Sequence, residues 1–502
     1  MTPSPPAVVV SLPARSVEEA RRQAEEARAA GADLAEVRID RFAADHQARL
    51  EELFPAPLPL IATYRSRAEG GEGSDEPQER EAILSSALRL PFQFVDLEWQ
   101  RDRSLAAKEF PPGAPVPILS SHLIASEALR SWEQRLEELA ATRTLGKLVF
   151  PASIGDLLGQ VLSRLPSRLD GSVTVHTTGA SGGLLRAWSR QLGLPMAYAS
   201  LPEVEGASDR PPVEPSQVPV DRLGPFVRAQ ATPPLFGIAG RPVGHSLSPR
   251  IHHAWMQATH RLGLYLPLEF DSDEEFLASL GPLADHGFRG LNVTQPYKLV
   301  AFRAATRVGN GAAACGAANC LTFEEGEVKA ENTDLAALLR RLEELRRAGK
   351  WDEGPIGVVG AGGAARATLA AARLLGVPAS VFARRPEAAH QLAREFGATA
   401  GSLHGGPSFS LVVHATNAGR SPEGRLDVPL DRLLAPRAHV IDWVYRPDHA
   451  IVQQSAASRG ATYEDGWRLL VYQAASSFAL WWGSAPPEED VQRFVEEVPC
   501  AA

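Results

Sequence analysis

Apolar residues in the first two hundred positions come in short β-rich runs, each followed by a turn and a stretch with helical spacing. The runs are AVVVSL from Ala7, LAEVRID from Leu34, LIATYRS from Leu60, FVDLEW from Phe94, VPILSSH from Val116, KLVFPAS from Lys147, SVTVHTT from Ser172 and MAYASL from Met196. Eight β runs separated by helices predict a (β/α)8 barrel. Ser16-Val-Glu-Glu19 predicts a capping box at one helix start, and Gly31 its stop. Proline then becomes dense from Pro202 to Pro234, which predicts a domain boundary. A second α/β pattern starts at LFGIAG from Leu235, and a third begins at Pro355 with the strand IGVVG. Between them LLRRLEELRRAGK reads as a helix with a solvated charged face.

Side-chain alternation adds chemistry to this outline. In LAEVRID, period two puts Glu36, Arg38 and Asp40 on one face and Val37 and Ile39 on the other. A barrel strand covered outside by helices must turn its charges inward, so Glu36 and Arg38 read as substrate ligands near the C-terminal strand ends. Arg65, with Glu69 on the glycine-rich loop behind it, reads the same way. In the third segment Gly360, Ala361, Gly362, Gly363 and Ala364 lead into an alanine-rich helix directly after a β-rich run, which is the context a dinucleotide turn requires. The next strand ends in Arg384 and Arg385 where an NAD site presents an acid. Two guanidinium groups there select a 2′-phosphate, hence NADP.

Composition narrows the classes. The chain is 44% hydrophobic and 22% charged over 502 residues, so a sizeable core is expected. A net charge of −9 gives no support for nucleic-acid or membrane-surface binding. Cys315, Cys320 and Cys500 are too few and too badly spaced for a disulfide framework or zinc site, and no metal is expected. No apolar run approaches the roughly 18 residues of a membrane span, and the first basic residue, Arg15, follows the first apolar run rather than preceding it. A soluble, cytoplasmic protein is expected.

From Leu235 onward, the ordered motifs GRPVGHSLSP, NVTQPYK, GAANC, ENTD, HATNAG, DWVYRP and EDGWRLLVYQAA resemble shikimate dehydrogenase. The resemblance implies Lys298 and Asp334 as the catalytic pair. It implies Ser246, Ser248, Thr294, Asn319, Tyr445 and Gln473 as substrate ligands, and Thr416 and Gly466 as further NADP contacts. The chain departs from the family at Ala383-Arg384-Arg385, at His414 in place of asparagine, and at Leu335 in place of glycine. Residues 7 to 228 resemble type I 3-dehydroquinate dehydratase. That resemblance implies Lys147 as a Schiff-base lysine, His122 as general acid and base, and Glu69 as the carboxylate that orients and charges His122. It also implies Ser11, Glu36, Arg38, Arg65, Arg186 and Gln217 as substrate ligands, with Arg186 on the carboxylate. Burial is expected to lower the pKa of Lys147, the only lysine in the eight runs. The loop serine of that family is missing near Val213 and Glu214, and two of its substrate-contacting methionines are replaced near His176 and Thr178.

Together the two resemblances imply a barrel over 1–230, a substrate domain over 231–340, an NADP-binding Rossmann domain over 341–465 and returning helices over 466–502. They imply consecutive dehydration of 3-dehydroquinate and reduction of 3-dehydroshikimate to shikimate, with these small molecules as the ligands. Two rivals are an NAD-dependent catabolic quinate or shikimate dehydrogenase and a non-catalytic metabolite sensor of the same folds.

Overall fold

All eight predicted β runs form strands: β1 (Ala7–Leu12), β2 (Leu34–Arg38), β3 (Leu60–Thr63), β4 (Phe94–Glu98), β5 (Val116–His122), β6 (Leu145–Pro151), β7 (Val173–Thr178) and β8 (Met196–Ser200). The coordinates are a computed structural model that describes residues 4–106, 112–124, 128–142, 144–165, 169, 171–203, 212–402, 407–418, 429–445 and 450–497. Cys500, Gly419 of HATNAG, Arg446 and Pro447 of DWVYRP and 204–211 of the proline-rich stretch lie outside the described residues. Contacts divide the chain into two compact units, Met1–Pro234 with Leu262–Asp271, and Leu235–Arg261 with the chain from Ser272 onward.

The strands of the first unit run parallel in the order β7-β6-β5-β4-β3-β2-β1-β8, with the short β9 (Val218–Pro219) beyond β8. With β8 beside β1, the sheet curls as a barrel does. No ladder joins β7 to β8 among the described residues. There the Thr174 hydroxyl donates to Met196 O at 3.1 Å and accepts from Met196 N at 2.9 Å. Val9, Leu34, Ile61, Ile118, Met196 and Tyr198 form a buried apolar cluster, while inward residues further along the strands are polar. This gradient leaves the chemistry at the C-terminal ends. The segment Leu262–Asp271 carries β11 (Leu264–Glu269), and β10 (Leu235–Gly240) opens the second unit.

Predicted boundaries hold where local chemistry sets them. Ser16 caps the helix Val17–Ala29 by accepting from Glu19 N, and Gly31 takes a left-handed φ of 91° behind it. LAEVRID stops being a strand at Arg38, where Ile39–Arg41 turns and Asp40 folds back onto the Arg38 guanidinium at 2.7 and 2.8 Å. At KLVFPAS the strand starts two residues earlier than the apolar run, at Leu145, so Lys147 is its third residue rather than its first.

The second unit holds two sheets. β10 pairs parallel with β12 (Phe288–Val293), β12 antiparallel with β14 (Cys320–Glu324), and β14 with β15 (Glu327–Glu331), which pairs with β13 (Arg307–Val308). The other sheet is wholly parallel, in the order β18 (Thr399–Ala400), β17 (Ala379–Phe382), β16 (Ile356–Val359), β19 (Phe409–His414), β20 (Leu434–Asp442) and β21 (Thr462–Glu464). Counted from β16, that order is 3-2-1-4-5-6 and reverses between β16 and β19, where a doubly wound fold takes its nucleotide. Helix Thr333–Arg347 packs on Trp467–Trp482. Its charged face is not wholly solvated: Arg341 is largely buried and holds Glu464 through Nε and Nη2 at 2.6 to 3.0 Å. Trp481 stacks on Phe236 at 5.1 Å and lies over Gly290, where any Cβ would collide with its indole.

Candidate functional site

The larger cavity, about 290 Å³, opens at the C-terminal ends of the barrel strands. Ser11, Glu36, Arg38, Arg65, Glu69, His122, Lys147, Arg186 and Gln217 all line it. Ser11, Glu36, Arg38, His122 and Lys147 lie on strands and Arg65 just beyond β3, while Glu69, Arg186 and Gln217 come from the segments between strands. Lys147 Nζ donates to Glu36 Oε1 at 2.8 Å, lies 3.4 Å from Asp96 Oδ2, and sits 4.0 Å above the Tyr198 ring. Glu36 also accepts from Ser11 Oγ at 2.8 Å and Thr63 Oγ1 at 3.0 Å.

This charge arrangement reverses the expected shift of Lys147. Burial does oppose the ammonium, but attraction from Glu36, Tyr198 and Asp96 outweighs it, and the pKa rises above the usual lysine range. The free protein therefore stores the lysine as an ion pair. Glu36 is correspondingly held far below the carboxylate range: its burial is overcome by Lys147 and Arg38.

His122 also differs from expectation. Its backbone N–H donates to Glu69 Oε2 at 3.0 Å, and its Nδ1 lies 3.3 Å from the same oxygen without hydrogen-bond geometry. Burial, with Arg65 and Lys147 nearby, pushes the imidazole pKa well below 6.5, while burial raises that of Glu69. Glu69 thus does not charge the ring, which is kept neutral by its burial and by the nearby cations. Arg65 holds Asp96 with two bonds of 2.9 Å, Ser120 at 2.9 Å and Glu69 at 3.1 Å, so it braces the carboxylates beneath His122 and Lys147. Asp96, Glu98 and Ser120 escaped the sequence reading, although FVDLEW alternates as LAEVRID does and puts both acids on one face.

Arg186 is 3% exposed and anchored by carbonyls, with Nε on Tyr198 O at 3.1 Å and Nη1 on Thr177 O at 3.1 Å and Gly182 O at 2.7 Å. Nη2 faces Glu214 Oε2 at 3.3 Å. An incoming carboxylate must displace or share with Glu214, which stands on the loop that lacks the expected serine. Several buried polar atoms of the cavity, on His122, His176, Tyr198 and Gln217, have no hydrogen-bond partner. Each such group costs about 1–3 kcal/mol unless a ligand or water meets it.

A second cavity, about 120 Å³, lies within the second unit. Ser246, Ser248, Thr294, Lys298, Asn319, Asp334, Tyr445, Gly466 and Gln473 line it. Asn332 caps the helix Thr333–Arg347, which fixes Asp334 in the first turn. Lys298 Nζ donates to Asp334 Oδ2 at 2.6 Å, and Asn319 Nδ2 to Asp334 Oδ1 at 2.9 Å. Ser248 Oγ is buried without a partner. Asn292 and Trp443 also line the cavity and were not anticipated; Asn292 Nδ2 donates to Ser477 Oγ at 2.8 Å.

The dinucleotide turn lies against Lys298, which lines this cavity. Gly360 has φ 131°, and a Cβ there would lie 2.5 Å from Ala415 O. Only glycine fits. A Cβ on Gly363 would meet Lys298 Cδ at 2.7 Å, whereas Gly362 faces open space. Gly362 starts the helix Gly363–Leu375 with no side-chain cap, leaving its amides for an anion. Arg384 and Arg385 are exposed just beyond β17. Thr416 Oγ1 lies 2.6 Å from His414 Nε2, and His414 Nδ1 2.8 Å from Asp442 Oδ1, so the family departure at His414 fixes the threonine hydroxyl.

The second half of the chain is 37% identical over 263 residues to shikimate dehydrogenase (NADP(+)) of Acidiphilium cryptum, covering 51% of this chain and 93% of that protein. The chain belongs to the shikimate dehydrogenase family. Residues 238–321 match the family's substrate-binding domain, and residues 8–226 match type I 3-dehydroquinase. Both expected resemblances therefore hold. Among solved structures, shikimate 5-dehydrogenase of Thermus thermophilus is 32% identical over 52% of this chain and 99% of its own, with a TM-score of 0.47. The S. pombe AroM structure of dehydroquinate dehydratase and shikimate dehydrogenase covers 99% of both chains at 23% identity and a TM-score of 0.43. Among the described residues no helix is long and apolar enough to cross a membrane, and no group of His, Cys, Asp and Glu is placed to hold a metal.

Proposed function

We propose that the chain catalyses two consecutive reactions, dehydration of 3-dehydroquinate at the barrel and NADPH-dependent reduction of 3-dehydroshikimate to shikimate in the second unit. The observation that carries this reading is the pair of separate cavities, one built on Lys147 and one on Lys298–Asp334, each inside a segment matching the corresponding family. The proposed domain limits are those given by the sequence, and the proposed setting is the cytoplasm, in keeping with free Cys315 and Cys320.

In the barrel, Lys147 gives up its proton and its amine attacks the C3 carbonyl, forming an imine with loss of water. The protonated imine acidifies C2. Neutral His122 takes the C2 proton, the electron pair moves toward C1, and the C1 hydroxyl leaves as water with that proton. Hydrolysis of the imine frees 3-dehydroshikimate and restores Lys147. Arg186 binds the carboxylate, with Ser11, Glu36, Arg38, Arg65 and Gln217 around the ring. Glu36, through its hydrogen bond to Nζ, holds the lysine in place, and the lysine proton passes to solvent.

In the second unit, Ser246, Ser248 and Tyr445 hold the carboxylate, and Thr294, Asn319 and Gln473 the ring hydroxyls. Lys298 delivers a proton to the carbonyl oxygen as it becomes an alkoxide, and Asp334 holds the ammonium in place and relays the proton. The residues fit the dinucleotide: a turn only glycine can make at Gly360, open space at Gly362, uncapped helix amides, and two exposed arginines beyond β17. Gly360, Ala361, Gly362, Gly363 and Ala364 would hold its pyrophosphate, Arg384 and Arg385 the 2′-phosphate, and Thr416 and Gly466 the remainder. NADPH, when bound, supplies the hydride.

Steady-state reduction of 3-dehydroshikimate with each cofactor tests the reading. NADPH is expected to give the higher kcat/KM. Exchanging both arginines for alanine is expected to lower that value about 10- to 100-fold and leave NADH unchanged, from the loss of charge-assisted bonds. A clear preference of the wild type for NADH would favour the catabolic rival.

A further inference from the structure

The barrel cavity contains an imidazole that the mechanism above does not use. His176, on β7, is 1% exposed, lines the cavity, and has no hydrogen-bond partner for either ring nitrogen. Its ring lies edge-on to that of Tyr198, with centroids 5.5 Å apart. Burial, then the positive charge of Arg186 and Lys147, holds its pKa well below 6.5, so it offers one N–H donor and one lone pair at neutral pH. A packing role needs neither. An apolar side chain fills such a wall without leaving polar atoms unpaired, so two unpaired nitrogens on a residue that lines the cavity mark a ligand contact.

The strand register says which part of the ligand. Lys147 lies opposite Thr174 and Val149 opposite His176, so His176 is the next inward residue above the lysine. Arg186 is anchored at the same level, on the carbonyls of Thr177 and Tyr198. A ring whose C3 is bonded to Lys147 and whose carboxylate rests on Arg186 places C1, the carbon that carries the carboxylate, beside His176. C1 also carries the hydroxyl that is lost. We propose that His176 is a substrate-binding residue of the barrel site that hydrogen-bonds the C1 hydroxyl of 3-dehydroquinate. This rests on the dehydration reading of the barrel, and it adds a ligand for the departing group.

The product supplies the control, because 3-dehydroshikimate keeps the C3 carbonyl and the carboxylate but has no C1 hydroxyl. Borohydride trapping on Lys147 can be titrated with each compound, for the wild-type chain and for His176→Met and His176→Gln. His176→Met is expected to raise the half-saturating concentration of 3-dehydroquinate about tenfold and to leave that of 3-dehydroshikimate within about twofold. His176→Gln, which keeps a donor and an acceptor, is expected to stay within about threefold of wild type for both. A selective loss for 3-dehydroquinate in the methionine variant, larger than in the glutamine variant, supports the proposal. Equal shifts for the two compounds, or no shift, overturn it. Absence of any adduct on Lys147 in the wild type would instead overturn the dehydration reading itself, and this proposal with it.

Discussion

Replacing Lys147 with alanine is expected to abolish consumption of 3-dehydroquinate, by about 10⁴-fold or more, while 3-dehydroshikimate is still reduced at the wild-type rate. The asymmetry follows from where the lysine sits. It lines the barrel cavity, where the proposed reaction uses it as the covalent nucleophile, and every residue lining the second cavity belongs to the second unit. No neighbour can replace the amine, since the other cations lining the barrel cavity are Arg38, Arg65 and Arg186. Guanidinium groups stay protonated at working pH. The substitution also leaves Glu36 and Asp96 buried without their shared cation, so a lower melting temperature is expected alongside the lost activity. Separate assays with the two substrates distinguish this from general unfolding, which would remove both activities. The raised pKa of Lys147 sets the sign of the pH dependence: free amine becomes more abundant as pH rises, so imine formation quickens toward alkaline pH.

Asp334→Asn is expected to produce the complementary defect, a fall in kcat for reduction of about 10²- to 10⁴-fold, or about 2.7–5.5 kcal/mol of barrier. The carboxylate has two tasks, one per oxygen. Oδ2 accepts from Lys298 at 2.6 Å and Oδ1 from Asn319 at 2.9 Å. An amide keeps the shape but offers a donor to one of two groups that are already donating. Lys298 loses the charge that holds its ammonium near the reacting oxygen, so kcat suffers more than KM. Supplied with 3-dehydroquinate and NADPH, this variant should accumulate 3-dehydroshikimate, which chromatography of the reaction mixture reads directly.

Much of this was legible because the barrel strands write themselves in alternation and the nucleotide turn in glycine. Period two in LAEVRID announces an inward-facing Glu36 and Arg38, and Gly360 through Gly363 fit a turn with no room for a Cβ at Gly360. The ordered motifs also gather Ser246, Lys298, Asn319, Asp334 and Gln473, spread over more than two hundred positions, around one cavity. What stayed hidden was the state of each group, because it depends on partners distant in sequence. Burial alone suggested a depressed lysine, yet Glu36, 111 residues away, sets the opposite sign. Glu69 was expected to charge His122 but is itself committed to Arg65. The seam between β7 and β8 was equally invisible, since a threonine hydroxyl replaces the ladder there.

The most direct test of the two-reaction account gives the purified chain 3-dehydroquinate and NADPH, with no other enzyme, and follows NADPH oxidation together with shikimate. The account predicts one NADPH oxidised and one shikimate formed per 3-dehydroquinate consumed. NADPH oxidation that begins only when 3-dehydroshikimate is added, or 3-dehydroquinate consumed with no shikimate formed, would contradict it.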